Sequence, residues 1–303
     1  MPRRAVPPWV LAVAAMLSVQ LGSALSVRLV ESVGPAGTAW LRLSIGALIF
    51  LALARPPLRA VRRADAAALL GLGVTTGLVT AVFLAAIARI PLGTAVAIEF
   101  LGPLTVAAVR SHSKRVLVWP FVALLGVVLL TQPWRSDIAD PVGVAFAVLA
   151  GIGWAAYILL TQRVGDRFAG IAGLSITVPI AAVTAAVIGV PQAAGELTIG
   201  TVAAAAGLAL LLPVLPYALE LLALRQMTPT AFGTLMALEP AMGVLLGLAV
   251  LHQKPSLLQI VGIVLVVLAG AAAQRGGRRQ PPSPGTPTPA QELAHGPGHG
   301  VTG

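Results

Sequence analysis

Two carboxylates inside apolar stretches, Glu99 and Glu239, are the side chains of this sequence best placed to do chemistry. A proline follows each, Pro240 immediately and Pro103 four residues later. A charge at membrane depth costs about 3 kcal/mol on insertion scales, so it normally faces a cavity or a partner. Proline interrupts helical hydrogen bonding, and paired interruptions in two related halves are typical of transporters with a midplane site. We therefore expect a substrate site at Glu99, a helix break about one turn beyond it, and gating or coupling by Glu239, Pro103 and Pro240.

Arg42 and Glu220 complete the set of ionisable side chains within the apolar stretches. A zwitterionic substrate needs a cation or a helix N-terminus for its carboxylate, and an anion or a carbonyl cluster for its ammonium group. Arg42 could bind the carboxylate and one of the glutamates the ammonium group. We therefore expect Arg42 and Glu220 among the residues that bind substrate. The alternative is structural, with Arg42 neutralising Glu99 in a buried pair that fixes helix packing.

Three aromatic residues and one amide are further candidates for substrate binding. Tyr217 and Glu220 share a helix face directly after two prolines that are expected to open that helix. Trp154 and Tyr157 have the same spacing and predict an aromatic wall for substrate, residues of an interfacial belt, or plain packing. Gln20 is the single amide of the first apolar stretch, and it is either a substrate ligand or a hydrogen-bonding link between helices.

The composition places most of the chain in lipid. Hydrophobic residues make up 57% and charged residues 10% of its 303 residues, and the mean hydropathy is +0.93, which is atypical of soluble domains. The net charge of +10 comes from basic residues scattered between apolar runs, a pattern that indicates membrane topology and not nucleic-acid binding. Cysteine is absent, which excludes disulfides and cysteine-ligated metals.

The apolar runs predict an all-α integral membrane protein with ten transmembrane helices. Each run has about the 20 residues that a spanning helix needs, and the runs centre near Ala15, Ile45, Leu78, Leu101, Leu125, Ile152, Val183, Leu211, Met242 and Leu265. Of the 20 lysine and arginine residues, fifteen fall in one set of alternate connections or termini and four in the other. Because the basic excess marks the cytoplasmic side, we expect both termini in the cytoplasm.

The two halves of the chain resemble each other weakly at a spacing near 136 residues. The matching pairs are Arg89 with Arg225, Thr94-Ala95 with Thr230-Ala231, Gly126 with Gly262 and, after a slip of one residue, Gly102-Pro103 with Glu239-Pro240. Five spans per half is an odd number, so the second half must be inverted in the membrane. We expect five-helix repeats at residues 1–136 and 137–274, and a disordered cytoplasmic tail, rich in proline and glycine, at residues 275–303.

Four segments are similar to the EamA-type drug/metabolite transporters, and in particular to the threonine/homoserine exporter branch. They are PLGTAVAIEFLGP at 91–103, WAAYIL at 154–159, LPYALE at 215–220 and FGTLMALEP at 232–240. The resemblance covers both halves and implies ten helices in two repeats, a bacterial inner-membrane location, and export of small amino acids or related metabolites. One departure is His252-Gln253, where the family usually has Gly-Glu. A role of that glutamate cannot be carried over.

The leading hypothesis is a secondary-active exporter that works by alternating access and is coupled to protons through Glu99, Glu220 or Glu239. No Walker lysine motif and no His-Glu-x-x-His motif occurs, so we expect no enzyme activity, no cofactor and no metal. The expected partners are a small molecule, protons and the lipid bilayer, without nucleic acid, and a homodimer is possible. The alternatives are an exporter of drugs or aromatic metabolites, an importer, a passive channel and an intramembrane enzyme.

Overall fold

The computed structural model describes residues 7–54, 61–110, 117–132, 134, 140–165, 168, 172–224, 226, 232 and 235–276. Within these residues every regular element is helical. The helices are α1 Pro8–Leu53, α2 Arg63–Ile87, α3 Leu92–Glu99, α4 Leu101–Val109, α5 Val118–Thr131, α6 Pro141–Gly165, α7 Leu174–Ala193, α8 Ile199–Ala209, a π-helix Leu210–Val214, α9 Leu215–Leu224, α10 Glu239–Leu251 and α11 Leu257–Gly276. The expected tail beyond Gly276 lies outside the described residues.

Length and hydropathy agree with a membrane protein. Six helical stretches are long and apolar enough to span a bilayer, namely Pro8–Leu53, Arg63–Ile87, Leu92–Val109, Pro141–Val164, Leu174–Ala193 and Ile199–Glu220. The apolar stretches in α5, α10 and α11 are shorter. Large apolar side chains face outward, including Phe121 at 72% and Val187 at 74% exposure. An outer surface of this kind suits lipid better than water.

Helix α1 is folded back on itself at Gly34. That glycine has φ 73° and ψ 168° and precedes Pro35, a backbone conformation that glycine adopts readily. The side chains of Ser26 and Arg42 meet across the bend, with 2.9 Å between Oγ and Nη1. In a straight helix these two residues would be about 24 Å apart. The helix is therefore two antiparallel arms, a first arm of residues 8–33 and a second arm of residues 35–53.

The end of the bundle that holds this bend, the bend end, is tied together by polar contacts. Gln192 of α7 accepts hydrogen bonds at Oε1 from the backbone N–H groups of Ala36 (2.7 Å) and Gly37 (3.1 Å). These amides begin the second arm and have no partner within the helix. Arg89, after α2, forms an ion pair of 3.0 Å with Asp140, before α6. Side chains thus join four helix ends in two pairs, the end of α7 with the start of the second arm and the end of α2 with the start of α6.

Asp140 also caps α6, because its Oδ1 accepts a hydrogen bond of 2.9 Å from the Val142 N–H. The pKa of Asp140 is lowered, first by the hydrogen bond from the Val142 N–H and then by the hydrogen bond from Arg89. The carboxylate is therefore charged at neutral pH. Both of its interactions persist until the pH falls below the usual range of an aspartate.

Prolines set the position of two helix breaks. Pro103 has no N–H, so the carbonyl of Glu99, four residues earlier, loses its helical donor, and α3 ends at Glu99. In the same way α8 ends at Ala209, four residues before Pro213, and the π-helix follows. The expected opening at Pro213 is confirmed. The expected break one turn beyond Glu99 is wrong, because proline frees the carbonyl one turn before it.

Helices α5 and α11 cross at a pair of glycines. A Cβ built on Gly126 would lie 2.6 Å from the carbonyl oxygen of Gly262, and the reverse distance is also 2.6 Å. The end of α5 meets the start of α11, since Gln132 Nε2 lies 3.3 Å from Ser256 Oγ. The two helices are therefore antiparallel, and their glycines allow the backbones to approach closely.

Candidate functional site

A cavity of about 330 Å³ lies among the arms of α1, helices α2, α3, α6 and α9, the π-helix, and the start of α10. All seven residues expected to bind substrate line it, together with Glu239: Gln20, Arg42, Glu99, Trp154, Tyr157, Tyr217 and Glu220. Pro103 and Pro240 do not line the cavity, and they act on the helix breaks beside it. A larger groove of about 460 Å³ between the first arm and α8 has a mainly apolar lining.

Helix ends deliver two of the carboxylates. Glu99 is the last residue of α3 and Glu239 is the first residue of α10, with Pro240 directly after it. Glu239 is almost completely buried, at 4% exposure. Glu220 and Glu99 line the same cavity as Glu239, so the three carboxylates form one cluster.

Arg42 is the cation of this site, and it has 4% of its surface exposed. Its Nη1 donates a hydrogen bond to Ser26 Oγ. Among the described residues, one pair of oppositely charged side chains lies within 4.0 Å, and it joins Arg89 to Asp140. Arg42 and Glu99 therefore form no ion pair in this structure. The alternative in which Arg42 neutralises Glu99 directly is therefore wrong for this conformation.

Arg42 and Glu99 lie at a different depth of the cavity from Tyr157. Counting the helical rise from the bend end, Arg42 lies about 12 Å from Gly34, and Glu99 lies about 10 Å from the start of α3. Tyr157 lies about 24 Å from the start of α6. Arg42 and Glu99 therefore form a charged layer of the cavity nearer the bend end, and Tyr157 lies towards the other end. Glu220 follows Tyr217 by three residues on α9 and lies on the tyrosine side.

The aromatic side chains connect three parts of the bundle. The hydroxyl oxygens of Tyr157 and Tyr217 are 2.6 Å apart, which is a hydrogen bond between α6 and α9. The ring centroids of Tyr217 and Phe50 are 6.0 Å apart, and those of Trp154 and Phe100 are 6.5 Å apart. Both pairs have a T-shaped arrangement. These contacts fix the orientation of the aromatic wall.

Two deeply buried polar atoms in the lining lack a hydrogen-bond partner in the described part of the chain. They are Oε1 of Gln20 and Nε of Arg42, on side chains with 2% and 4% exposure. The expected link from Gln20 to a neighbouring helix is not formed by its carbonyl. A buried polar atom without a partner is costly, so both atoms are suited to a polar ligand.

Sequence reasoning missed the polar wall that α2 contributes. Thr76 and Thr80 line the cavity, and each hydroxyl donates to the carbonyl four residues earlier, at 2.7 and 2.8 Å. Their spacing of one helical turn within an apolar stretch is the signal that could have identified them. Ser23, Phe83 and Met236 were missed as well.

Gln253 stands where the resembled family usually has glutamate, and it caps a helix. Its Oε1 accepts a hydrogen bond of 3.0 Å from the backbone N–H of Leu92, the first residue of α3. A neutral amide thus satisfies one of the free N–H groups at that helix start. Gln253 lies outside the lining of the cavity.

Comparison with known proteins identifies a family and relatives of this chain. A model of the EamA-like transporter family matches residues 141–272. A threonine/homoserine exporter, RhtA of Salmonella typhimurium strain LT2, is 34% identical over 284 residues, which cover 92% of this chain and 96% of that protein. RhtA of Escherichia coli strain K12 is 35% identical over 283 residues, which cover 91% and 95%.

A solved structure described only as the crystal structure of a protein has the same fold. Its TM-score is 0.58 at 19% sequence identity, and the match covers 90% of this chain and 98% of that one. At this identity the likeness speaks for the fold alone. The similarity to the RhtA exporters spans nearly the whole length of both proteins, and the chain therefore belongs to the EamA-like transporter family.

Proposed function

We propose that the protein is a secondary-active exporter of small amino acids of the threonine and homoserine kind in the bacterial inner membrane. The observation that carries the proposal is one cavity inside the bundle with a buried guanidinium and three carboxylates as its charged lining. The relatives named threonine/homoserine exporters support the substrate class. Membership of a transporter family supports a carrier and not an enzyme.

Arg42 binds the substrate carboxylate, and Glu99 binds the ammonium group. Both residues lie in the charged layer of the cavity, and neither is engaged in an ion pair there. A zwitterion placed between them would compensate both charges. Trp154, Tyr157 and Tyr217 form the wall beside the substrate side chain, and Gln20 supplies a further polar contact.

Proton coupling follows from the charge balance of the cavity. With every group ionised, Glu99, Glu220 and Glu239 would leave two negative charges uncompensated by Arg42. Charges that are buried without partners are expensive, so proton uptake by a carboxylate stabilises the empty carrier. Release of that proton then accompanies substrate movement.

The transport cycle is alternating access by two inverted five-helix repeats, residues 1–136 and 137–274. Counting α1 as two arms, α3 with α4 as one span, and α8 to α9 as one span, the described helices supply ten apolar segments. Gly126 and Gly262 are equivalent in the repeat and contact each other reciprocally, which supports a local two-fold relation between antiparallel helices. The family match at residues 141–272 falls inside the second repeat.

The experiment is a substrate panel in reconstituted vesicles with an imposed pH gradient. We expect saturable movement of L-threonine or L-homoserine that is accelerated by the gradient and collapses with a protonophore. Protein-free vesicles and vesicles with Arg42→Gln are the controls. Non-saturable flux would indicate a channel, and movement of aromatic compounds alone would contradict the proposed substrate class.

A further inference from the structure

The hydroxyl of Ser26 is set up to act as a pure acceptor for Arg42. Ser26 is completely buried, with 0% exposure, and its Oγ donates a hydrogen bond of 2.6 Å to the carbonyl of Gly22. A serine hydroxyl has a single proton, so the proton is engaged and the lone pairs are left to accept. Arg42 Nη1 fills that acceptor at 2.9 Å.

This contact determines which edge of the guanidinium remains available. A guanidinium is planar, and its N–H groups have fixed directions. With Nη1 held by Ser26, the edge formed by Nε and Nη2 is left, and the buried Nε has no hydrogen-bond partner among the described residues. Two parallel N–H groups on one edge match the two oxygens of a carboxylate.

The carboxylates of the protein leave this edge unused. Glu99, Glu220 and Glu239 line the same cavity as Arg42. None of them forms an ion pair with Arg42, because the ion pair found within 4.0 Å among the described residues joins Arg89 and Asp140. The vacant edge therefore calls for an external acceptor. We propose that Ser26 is a positioning residue that orients Arg42 so that its Nε and Nη2 edge binds the substrate carboxylate side-on.

This inference rests on the proposed function for the identity of the carboxylate. The inference goes beyond the proposed function because it names the edge of Arg42 that binds the carboxylate and the residue that orients this edge. Lysine in place of Arg42 would keep a positive charge but could not form the side-on pair. Alanine in place of Ser26 would keep the arginine but release its orientation.

The test is equilibrium binding to purified protein of three probes: L-threonine, L-threonine amide, which lacks the carboxylate, and L-lactate, which lacks the ammonium group. The variants are Ser26→Ala and Arg42→Lys. Ser18→Ala is the matched control, because Ser18 in the same arm also donates a hydrogen bond, 2.7 Å to the Leu211 carbonyl, without contacting Arg42. Thermal unfolding checks the folding of each variant.

We expect the wild type and Ser18→Ala to bind L-threonine about tenfold more tightly than its amide. Ser26→Ala and Arg42→Lys should lose that preference while binding the amide almost as the wild type does. A merely structural role would weaken both ligands equally, and this outcome would overturn the inference. Arg42→Lys keeps Ser26 intact, so it tests the side-on contact of Arg42 even where Ser26→Ala folds poorly.

The probes separate this inference from the proposed function. If L-threonine binds and neither variant changes its preference over the amide, the side-on contact is refuted while the exporter proposal stands. If L-lactate binds and L-threonine does not, and both variants lose L-lactate, the contact stands and the amino-acid substrate fails. If L-threonine binds no better than its amide and L-lactate does not bind, the inference is overturned.

Discussion

At the scale of single residues, Arg42 is a buried cation whose hydrogen bond goes to a neutral serine. A buried charge without an opposite charge beside it is unfavourable, and proteins tolerate such cost at functional sites. Glu99 lies in the same layer of the cavity without pairing with Arg42. The two residues are therefore held apart, and the space between them suits a ligand that carries both charges.

Our first prediction concerns Arg42 and Glu99 together. Arg42→Gln should lower L-threonine affinity by at least about tenfold, since a charge-assisted contact is lost. The double variant with Glu99→Gln should not recover binding, because the two side chains form no ion pair in this structure. Equilibrium binding of the single and double variants is the measurement. Recovery in the double variant would restore the view that the pair is structural.

The second prediction assigns different roles to Glu99 and Glu239. Glu99→Gln should weaken L-threonine binding about tenfold, whereas Glu239→Gln should change it less than about twofold and slow exchange instead. The physical reason is that Glu239 begins a helix beside Pro240 and shares the cavity with both other carboxylates, so its charge state biases the helix break. Affinity and exchange rate in liposomes test this. Equal loss of affinity in both variants would contradict the division of roles.

At the scale of elements, the break between α3 and α4 is supported from outside by α6. A Cβ on Gly151 of α6 would lie 3.0 Å from the carbonyl oxygen of Glu99, so the α6 backbone packs directly against the freed carbonyl. Gly102 in α4 in turn contacts the Gly151 carbonyl. Two glycines thus make a close helix crossing beside Glu99, at the level of the candidate site.

The third prediction is that Gly102→Ala destabilises the protein by about 1–3 kcal/mol, the usual cost of overpacking. The added methyl group would meet the backbone of Gly151, which cannot rotate away. Gly207→Ala is the matched control, since a Cβ there meets nothing within 4 Å and alanine favours helix by about 1 kcal/mol. Chemical unfolding in detergent distinguishes them, and equal stability of the two variants would refute the crossing.

At the scale of the whole molecule, three sets of polar contacts join helix ends at the bend end. Gln192 with the second arm, Arg89 with Asp140, and Gln253 with α3 all lie there. The asymmetry of basic residues predicts that this end lies outside the cytoplasm. Within the described residues, side-chain contacts therefore join the helix ends on the proposed outer side.

The fourth prediction is this orientation. The chain has no cysteine, so single cysteines can be introduced at Glu196, exposed after α7 at the bend end, and at Gln226, exposed after α9 at the other end. A membrane-impermeant maleimide should label Glu196→Cys in intact cells and Gln226→Cys only after permeabilisation. The reverse pattern would invert the proposed topology.

The sequence by itself determined the class of protein and most of the polar residues of the cavity. Apolar length and scattered charge predict membrane helices because both depend on local composition. Ionisable residues inside those stretches must avoid lipid, so Arg42, Glu99, Glu220 and Glu239 could be identified as cavity residues without coordinates. Proline positions likewise predicted the helix opening at Pro213.

Only the tertiary structure decided how these residues meet. The fold-back of α1 at Gly34 brings Ser26 against Arg42, and α9, which packs on α1, brings the hydroxyl of Tyr217 to that of Tyr157 on α6. Such contacts depend on the rotation and crossing of whole helices, which local periodicity does not specify. The absence of an Arg42 to Glu99 ion pair in the described structure has the same cause. Composition predicts that buried charges need partners, but it does not specify which groups meet. The packing of the helices places both side chains on one cavity without pairing them.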